Sequence, residues 1–146
     1  MPRSFLSQRL AVVATIDPAQ QSTAAVGSTA VDMRRHPEVV FVLQTGTLGT
    51  SATVDMKLQT GATSSPTTDL TGKSITQLVK ASNDNNQVIA GLRRSDMPAG
   101  HNFVRALVTV GTAASYTSLI GLAEVETDVP SARSLSKTTL VEVLPS

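Results

Sequence analysis

The stretch Ala52-Thr53-Val54-Asp55-Met56-Lys57-Leu58-Gln59 decides how the rest of the chain is read. Val54, Met56 and Leu58 alternate with Thr53, Asp55, Lys57 and Gln59, a period of two that gives a β-strand one apolar and one polar face. Just upstream, Glu38-Val-Val-Phe-Val-Leu-Gln44 is a β-branched and apolar run bounded by Pro37 and Gly46, and it reads as a strand buried on both faces. The segment between them, Thr45-Gly-Thr-Leu-Gly-Thr50, carries two glycines. The two runs are therefore expected to fold back on each other as an antiparallel hairpin.

The same period recurs outward in both directions. Asn102 to Val110 sets Val104, Ala106, Val108 and Val110 on one face and Arg105 and Thr109 on the other, and Gly111 turns the chain towards Tyr116–Glu126, a second expected hairpin. Gln87–Arg93, Leu10–Ile16, Ser28–Met33 and Thr138–Leu144 add further strands, for eight or nine in all. Lys73–Ala81 fits a two-turn helix through Ile75, Leu78 and Val79 and fits a strand equally well through its β-branched content, so it stays open between the two. Gly61–Thr68 reads as an exposed loop tip. The expected fold is all-β with little helix, an antiparallel β-sandwich of about eight strands with jelly-roll topology. Residues 1–27 read as an N-terminal arm or first strand, and residues 28–146 as the sandwich with a C-terminal strand or tail.

Composition narrows function. Across 146 residues there is no cysteine, which removes Cys-ligated metals, thiol nucleophiles and disulfide frameworks. A net charge of +1 and 3% aromatic residues leave neither the field nor the stacking platforms of a nucleic-acid binder, and the charge balance does not suit an anionic membrane surface. Sixteen Ser and nineteen Thr stand where charge is usual, a surface suited to polar protein contacts. No apolar run approaches the 18 residues of a membrane span, and Leu10–Ile16, interrupted upstream by Arg9 and followed by Asp17-Pro18, is not expected to act as a secretory signal.

The chemistry-bearing motifs are incomplete. Thr71-Gly-Lys-Ser74 ends like a phosphate-binding loop, but Thr67 stands where the motif needs glycine, so a polar turn is expected. His36 and His101 have no partner at ligand spacing and read as solvated turn histidines. Asp84 among Asn83, Asn85 and Asn86 reads as an Asx-stabilised turn rather than a calcium loop. Glu124 and Glu126 share a strand face, and Arg34-Arg35 and Arg93-Arg94 are the basic doublets; all read as surface charges. No catalytic residue, metal site or cofactor is expected, and an enzyme is the least favoured class. The N-terminal segment, with Phe5, Leu6, Leu10, Val12 and Val13 separated by polar spacers, must be covered by this chain's own core or by a neighbour.

The succession Ala30-Val-Asp-Met33, Pro37-Glu-Val-Val-Phe-Val42, Ala52–Gln59, Ile75-Thr-Gln-Leu78 and Phe103-Val-Arg-Ala-Leu-Val-Thr-Val110 resembles small β-sandwich proteins of tailed bacteriophages, over residues 28–127. The resemblance implies a capsid decoration or cement protein that oligomerises, as dimer or trimer, on the outer capsid surface of the virion after assembly in the host cytoplasm. It implies the major capsid protein and a second copy of itself as partners, with no nucleic acid and no membrane. Arg3, Phe5, Leu6 and Arg9 are the expected contact residues. A tail- or fibre-associated sandwich with a receptor-binding or adaptor role is the alternative.

Overall fold

Among the described residues, ten strands fill eight positions in two antiparallel sheets. The computed structural model describes residues 6–124. In chain order the strands are β1 (Leu10–Gln21), β2 (Ala25–Gly27), β3 (Val31–Asp32), β4 (Glu38–Thr45), β5 (Thr53–Gly61), β6 (Thr68–Ser74), β7 (Leu78–Val79), β8 (Gln87–Arg93), β9 (Phe103–Gly111) and β10 (Ser115–Glu124). One sheet has the order β1-β10-β4-β8; the other has β2-β9-β5-β6, with β3 beside β2 on β9 and β7 beside β6 on β5. Counting each split pair as one position, the chain crosses back and forth between two four-position sheets in jelly-roll order. Among the described residues helix is confined to single turns, α1 (Leu6–Arg9), α2 (Lys80–Asn83) and a 3-10 turn at Arg94–Asp96.

Both expected hairpins are corrected by this topology. β4 and β5 lie in opposite sheets, and so do β9 and β10. Period two records which side chains go inward, and it is the same whether the next strand pairs alongside or faces across the core. The connections arch over the edge of the sandwich instead of closing a hairpin. Ser51 and Thr112 take positive φ of 56° and 68° there, and Gly49 donates its amide to Ser115 Oγ at 3.1 Å, tying the two arches together. Lys73–Ala81 holds the end of β6, a link with Ile75, β7 with Leu78 and Val79, and the start of the single turn α2, so the two-turn helix reading is corrected. The expected strand at Thr138–Leu144 lies outside the described residues, and Leu10–Gln21 is a strand of this chain's own sheet, paired with β10.

Alternation fills the space between the sheets. Val39, Phe41 and Leu43 of β4 face Val54, Met56 and Leu58 of β5 and Val104, Ala106 and Val108 of β9, all buried. Phe41 is the largest fully buried side chain among the described residues. In β1 the alternation slips at a bulge between Val12 and Ala14, so that Val13 and Ala14 are buried in succession. Ser28 repairs the gap between β2 and β3, accepting the Ala106 amide at 3.0 Å and donating to Thr29 O.

Asp84 clamps the β4–β5 arch to the turn after α2. Its carboxylate accepts the Leu48 amide at 2.9 Å and Lys80 Nζ at 2.5 Å. The Lys80 hydrogen bond, then the Leu48 amide, hold its pKa below the ordinary 3.8. Asp69 beside Lys57 and Gln59, and Asp32 beside Arg34, are lowered in the same way. A lowered folded pKa adds stability that is complete above the unfolded value and disappears as pH falls through the folded one. Urea midpoints are therefore expected to hold steady at neutral pH and fall below about pH 4, and Asp84→Asn should flatten part of that acid decline. An acid limb identical in the variant overturns the clamp.

Candidate docking face

The two outer surfaces of the sandwich differ in kind. On the β2-β9-β5-β6 sheet, polar side chains satisfy one another: Arg105 donates twice to Gln59 Oε1, at 3.1 and 2.8 Å, and Gln59 Nε2 donates to Asp69 Oδ1 at 2.7 Å. Lys57 pairs with the other oxygen of Asp69 at 2.6 Å, and Gln77 donates to Asp55. Nearby, Arg34 pairs with Asp32 at 2.8 Å and its guanidinium lies 5.4 Å from the Phe103 ring centroid. Such a surface is suited to water.

The outer face of the β1-β10-β4-β8 sheet is apolar at its centre. Cross-strand register aligns Ile89, Val42, Ile120 and Thr15 in one row, and Gly91, Val40, Leu122 and Val12 in the next. Ile89 is 71% exposed and Ile120 40%. One end of the band is charged, with Glu38 opposite Arg93 and Glu124 paired to Arg9 at 3.6 Å; the other is polar, with Gln44, Gln87, Ser118 and the exposed Tyr116. At the charged end a hollow of about 370 Å³ is lined by Leu6, Arg9, Leu10, Val40, Leu122 and Glu124, among others. Leu6 and Arg9, expected as contacts, meet in this hollow; Arg3 and Phe5 lie outside the described residues.

The sequence reading missed Val40, Val42, Ile89, Ile120 and Leu122 as surface residues, although a signal was there. Glu38–Gln44 reads as buried on both faces because both faces are apolar, yet in the fold only Val39, Phe41 and Leu43 are fully buried while Val40 and Val42 remain part-exposed. The correction is informative. A strand written for two covered faces has one that this chain's described residues leave open.

The remaining candidates are occupied by structural work. His101 Nδ1 lies 2.8 Å from Thr60 Oγ1, and His36 Nδ1 lies 3.0 Å from Glu124 O. Among the described residues no three His, Asp or Glu side chains gather as metal ligands. In the phosphate-loop lookalike, Gly72 has φ +76° and Lys73 Nζ donates to Gly91 O at 3.1 Å, while the segment runs on as strand. Arg94 reaches Arg34 O, and Glu126 lies outside the described residues. No helix among the described residues is long and apolar enough to cross a membrane.

No protein-family model matches this chain, and no curated protein matches it. Among solved structures it is similar to a chain of the Bacillus endospore appendages, described as disulfide-linked pili, at 14% identity and TM-score 0.38, over 86% of this chain and 99% of that one. It is similar to a chain of the Israeli acute paralysis virus particle at 8% identity and TM-score 0.43, over 86% and 73%. A chain of infectious bursal disease virus, strain Gt, is similar at 10% identity and TM-score 0.44, and there the match spans 84% of this chain and only 33% of the other. Similarity of this degree concerns the fold and assigns no function.

Proposed function

We propose that this chain is a structural virion protein, a decoration or cement protein that lies on the outer capsid surface and bridges neighbouring major capsid protein subunits. The observation that carries the reading is the apolar outer face of the β1-β10-β4-β8 sheet, built on strands apolar on both sides. Covering that face removes apolar surface from water at about 25 cal/mol per Å². Its ends carry both signs of charge and several amides, the mixed rim of a protein contact. Leu6 and Arg9 at the hollow, with Arg3 and Phe5 just ahead of them in the chain, are the N-terminal contacts of this reading. The work is adhesion repeated by symmetry, in which modest contacts hold together as a set, and no turnover is part of it.

The test is binding to purified particles, located by electron microscopy. The native chain is expected as density on the outer shell between capsomers. The double variant Val42→Asp/Ile120→Asp, altered only on the outer face, should keep its circular dichroism and bind about 100-fold more weakly or worse, because uncompensated buried carboxylates cost several kcal/mol. Unchanged binding by that variant overturns the reading, and density confined to a tail or fibre replaces it with the adaptor role.

A further inference from the structure

Among the described residues the two open sheets have four lateral edges, and three of these are blunted. The β2/β3 edge is broken into two short pieces, and the β6/β7 edge is interrupted between Ser74 and Leu78 and carries a register shift opposite Lys57 and Gln59. β1 carries Pro18 and two register shifts, at Val12/Ala14 and Ile16/Ala19. Short edges, bulges and proline are the ordinary devices that stop a sheet from growing. β8 has none of them: Gln87–Arg93 pairs with β4 in unbroken register, without proline.

The open side of β8 follows from its hydrogen bonds. Thr45 donates to Asn86 O at 2.8 Å and Arg94 donates to Pro37 O at 2.9 Å, so the even-numbered residues from 86 to 94 bond to β4. The backbone N–H and C=O groups of Gln87, Ile89, Gly91 and Arg93 then point outward. Gly91 O, met by Lys73 Nζ at 3.1 Å, confirms that direction. Ile89, the most exposed large apolar side chain among the described residues, is at the centre of this edge.

We propose that β8 is the contact between two copies of this chain, paired antiparallel about a two-fold axis at Ile89 into one continuous eight-stranded sheet. In that register Ile89 faces Ile89 of the partner subunit and Gln87 faces Gly91 of the partner subunit, each pair exchanging two N–H···O bonds. Every outward group meets an outward group. The two most exposed isoleucines cover each other, and Arg93 falls opposite Asn85 of the partner subunit, so no like charges stand directly opposed. Lys73 releases Gly91 O to make way for the incoming amide.

Area favours a second copy over an isolated peptide as the occupant. Four strands spaced about 4.8 Å apart and about seven residues long give one outer face roughly 440 Å². A specific contact takes about 800 Å² per partner. The axis stands perpendicular to the sheet, so both outer faces look the same way and together offer roughly 880 Å². This last step rests on the docking reading; the pairing itself does not.

The test uses the free full-length chain. Light scattering is expected to give twice the chain mass at micromolar concentration, and Ile89→Lys, at an exposed position, should leave the circular dichroism unchanged and weaken the dimer about 10-fold or more through like charges at the axis. Because the chain has no cysteine, Ile89→Cys introduces a single thiol whose Cα is expected about 5.5 Å from its mate, inside the roughly 4.4–6.8 Å that a disulfide spans. It should oxidise to a covalent dimer much faster than Ile120→Cys, on the same face but away from the axis. A monomer at high concentration, a dimer indifferent to Ile89→Lys, or equal cross-linking of the two cysteine variants overturns the pairing. A dimer that ignores particles counts against the docking reading alone, and a monomer that binds them counts against the pairing alone.

Discussion

Phe41→Ala is expected to lower stability by about 3–5 kcal/mol. Its ring is fully buried on β4, the strand bonded to β10 on one side and β8 on the other. The surroundings have little freedom to collapse into the space. Gly121 of β10 lies directly over the ring, where an added Cβ would sit 3.1 Å from Phe41 Cε1 and 2.9 Å from Ala14 Cβ. Glycine there lets an aromatic fill the layer, and alanine at 41 would leave a hole with backbone on one wall. For a domain whose whole stability is about 5–15 kcal/mol, such a loss is a large fraction of the total. Denaturant midpoints with an unchanged slope provide the measurement, and a loss below about 1 kcal/mol would mean that the sheets close over the cavity.

The second large effect distinguishes two glycines at the arches. A Cβ at Gly49 would lie 2.5 Å from Ala114 O and 2.7 Å from Ala113 Cβ, so backbone of the opposite arch must move. Gly49→Ala is expected to cost about 1–3 kcal/mol. At Gly111 a Cβ would also meet an atom at 2.5 Å, but that atom is Thr53 Oγ1, the end of a side chain free to change rotamer. Gly111→Ala should stay within about 0.5 kcal/mol of the native chain. Thermal midpoints of the two variants provide the comparison, and equal losses would show that the arches do not hold each other through Gly49.

What was legible in the sequence, and what was not, follows from what each signal encodes. Gln87–Arg93 reads directly as the strand it is, and Asn102–Val110 differs from β9 by one residue at each end, because alternation records which side chains leave water. The turns around Asp84 and Gly61–Thr68 were legible for a related reason, since Asx side chains such as Asn83, which accepts the Val79 amide, and clustered small polar residues act on nearby backbone; the reach of Asp84 to Leu48, far off in the chain, was not. The candidate docking face was half legible: Val40 and Val42 announced themselves as apolar, and the reading placed them in a core because sequence alone does not distinguish a covered face from an open one.

By itself the sequence determined the all-β class, the inward set of Val54, Met56, Leu58, Val104, Ala106 and Val108, and the incompleteness of every motif that would carry nucleotide or metal chemistry. Only the tertiary structure decided that β4 and β5, and β9 and β10, face each other across the core rather than pair within one sheet, and that the apolar second side of β4 lines up with Ile89, Ile120 and Leu122 on the outside. The physical reason is range. Alternation is a property of neighbouring residues, whereas the choice of sheet and of outer face is made by contacts between segments far apart in the chain, and no local pattern distinguishes those outcomes.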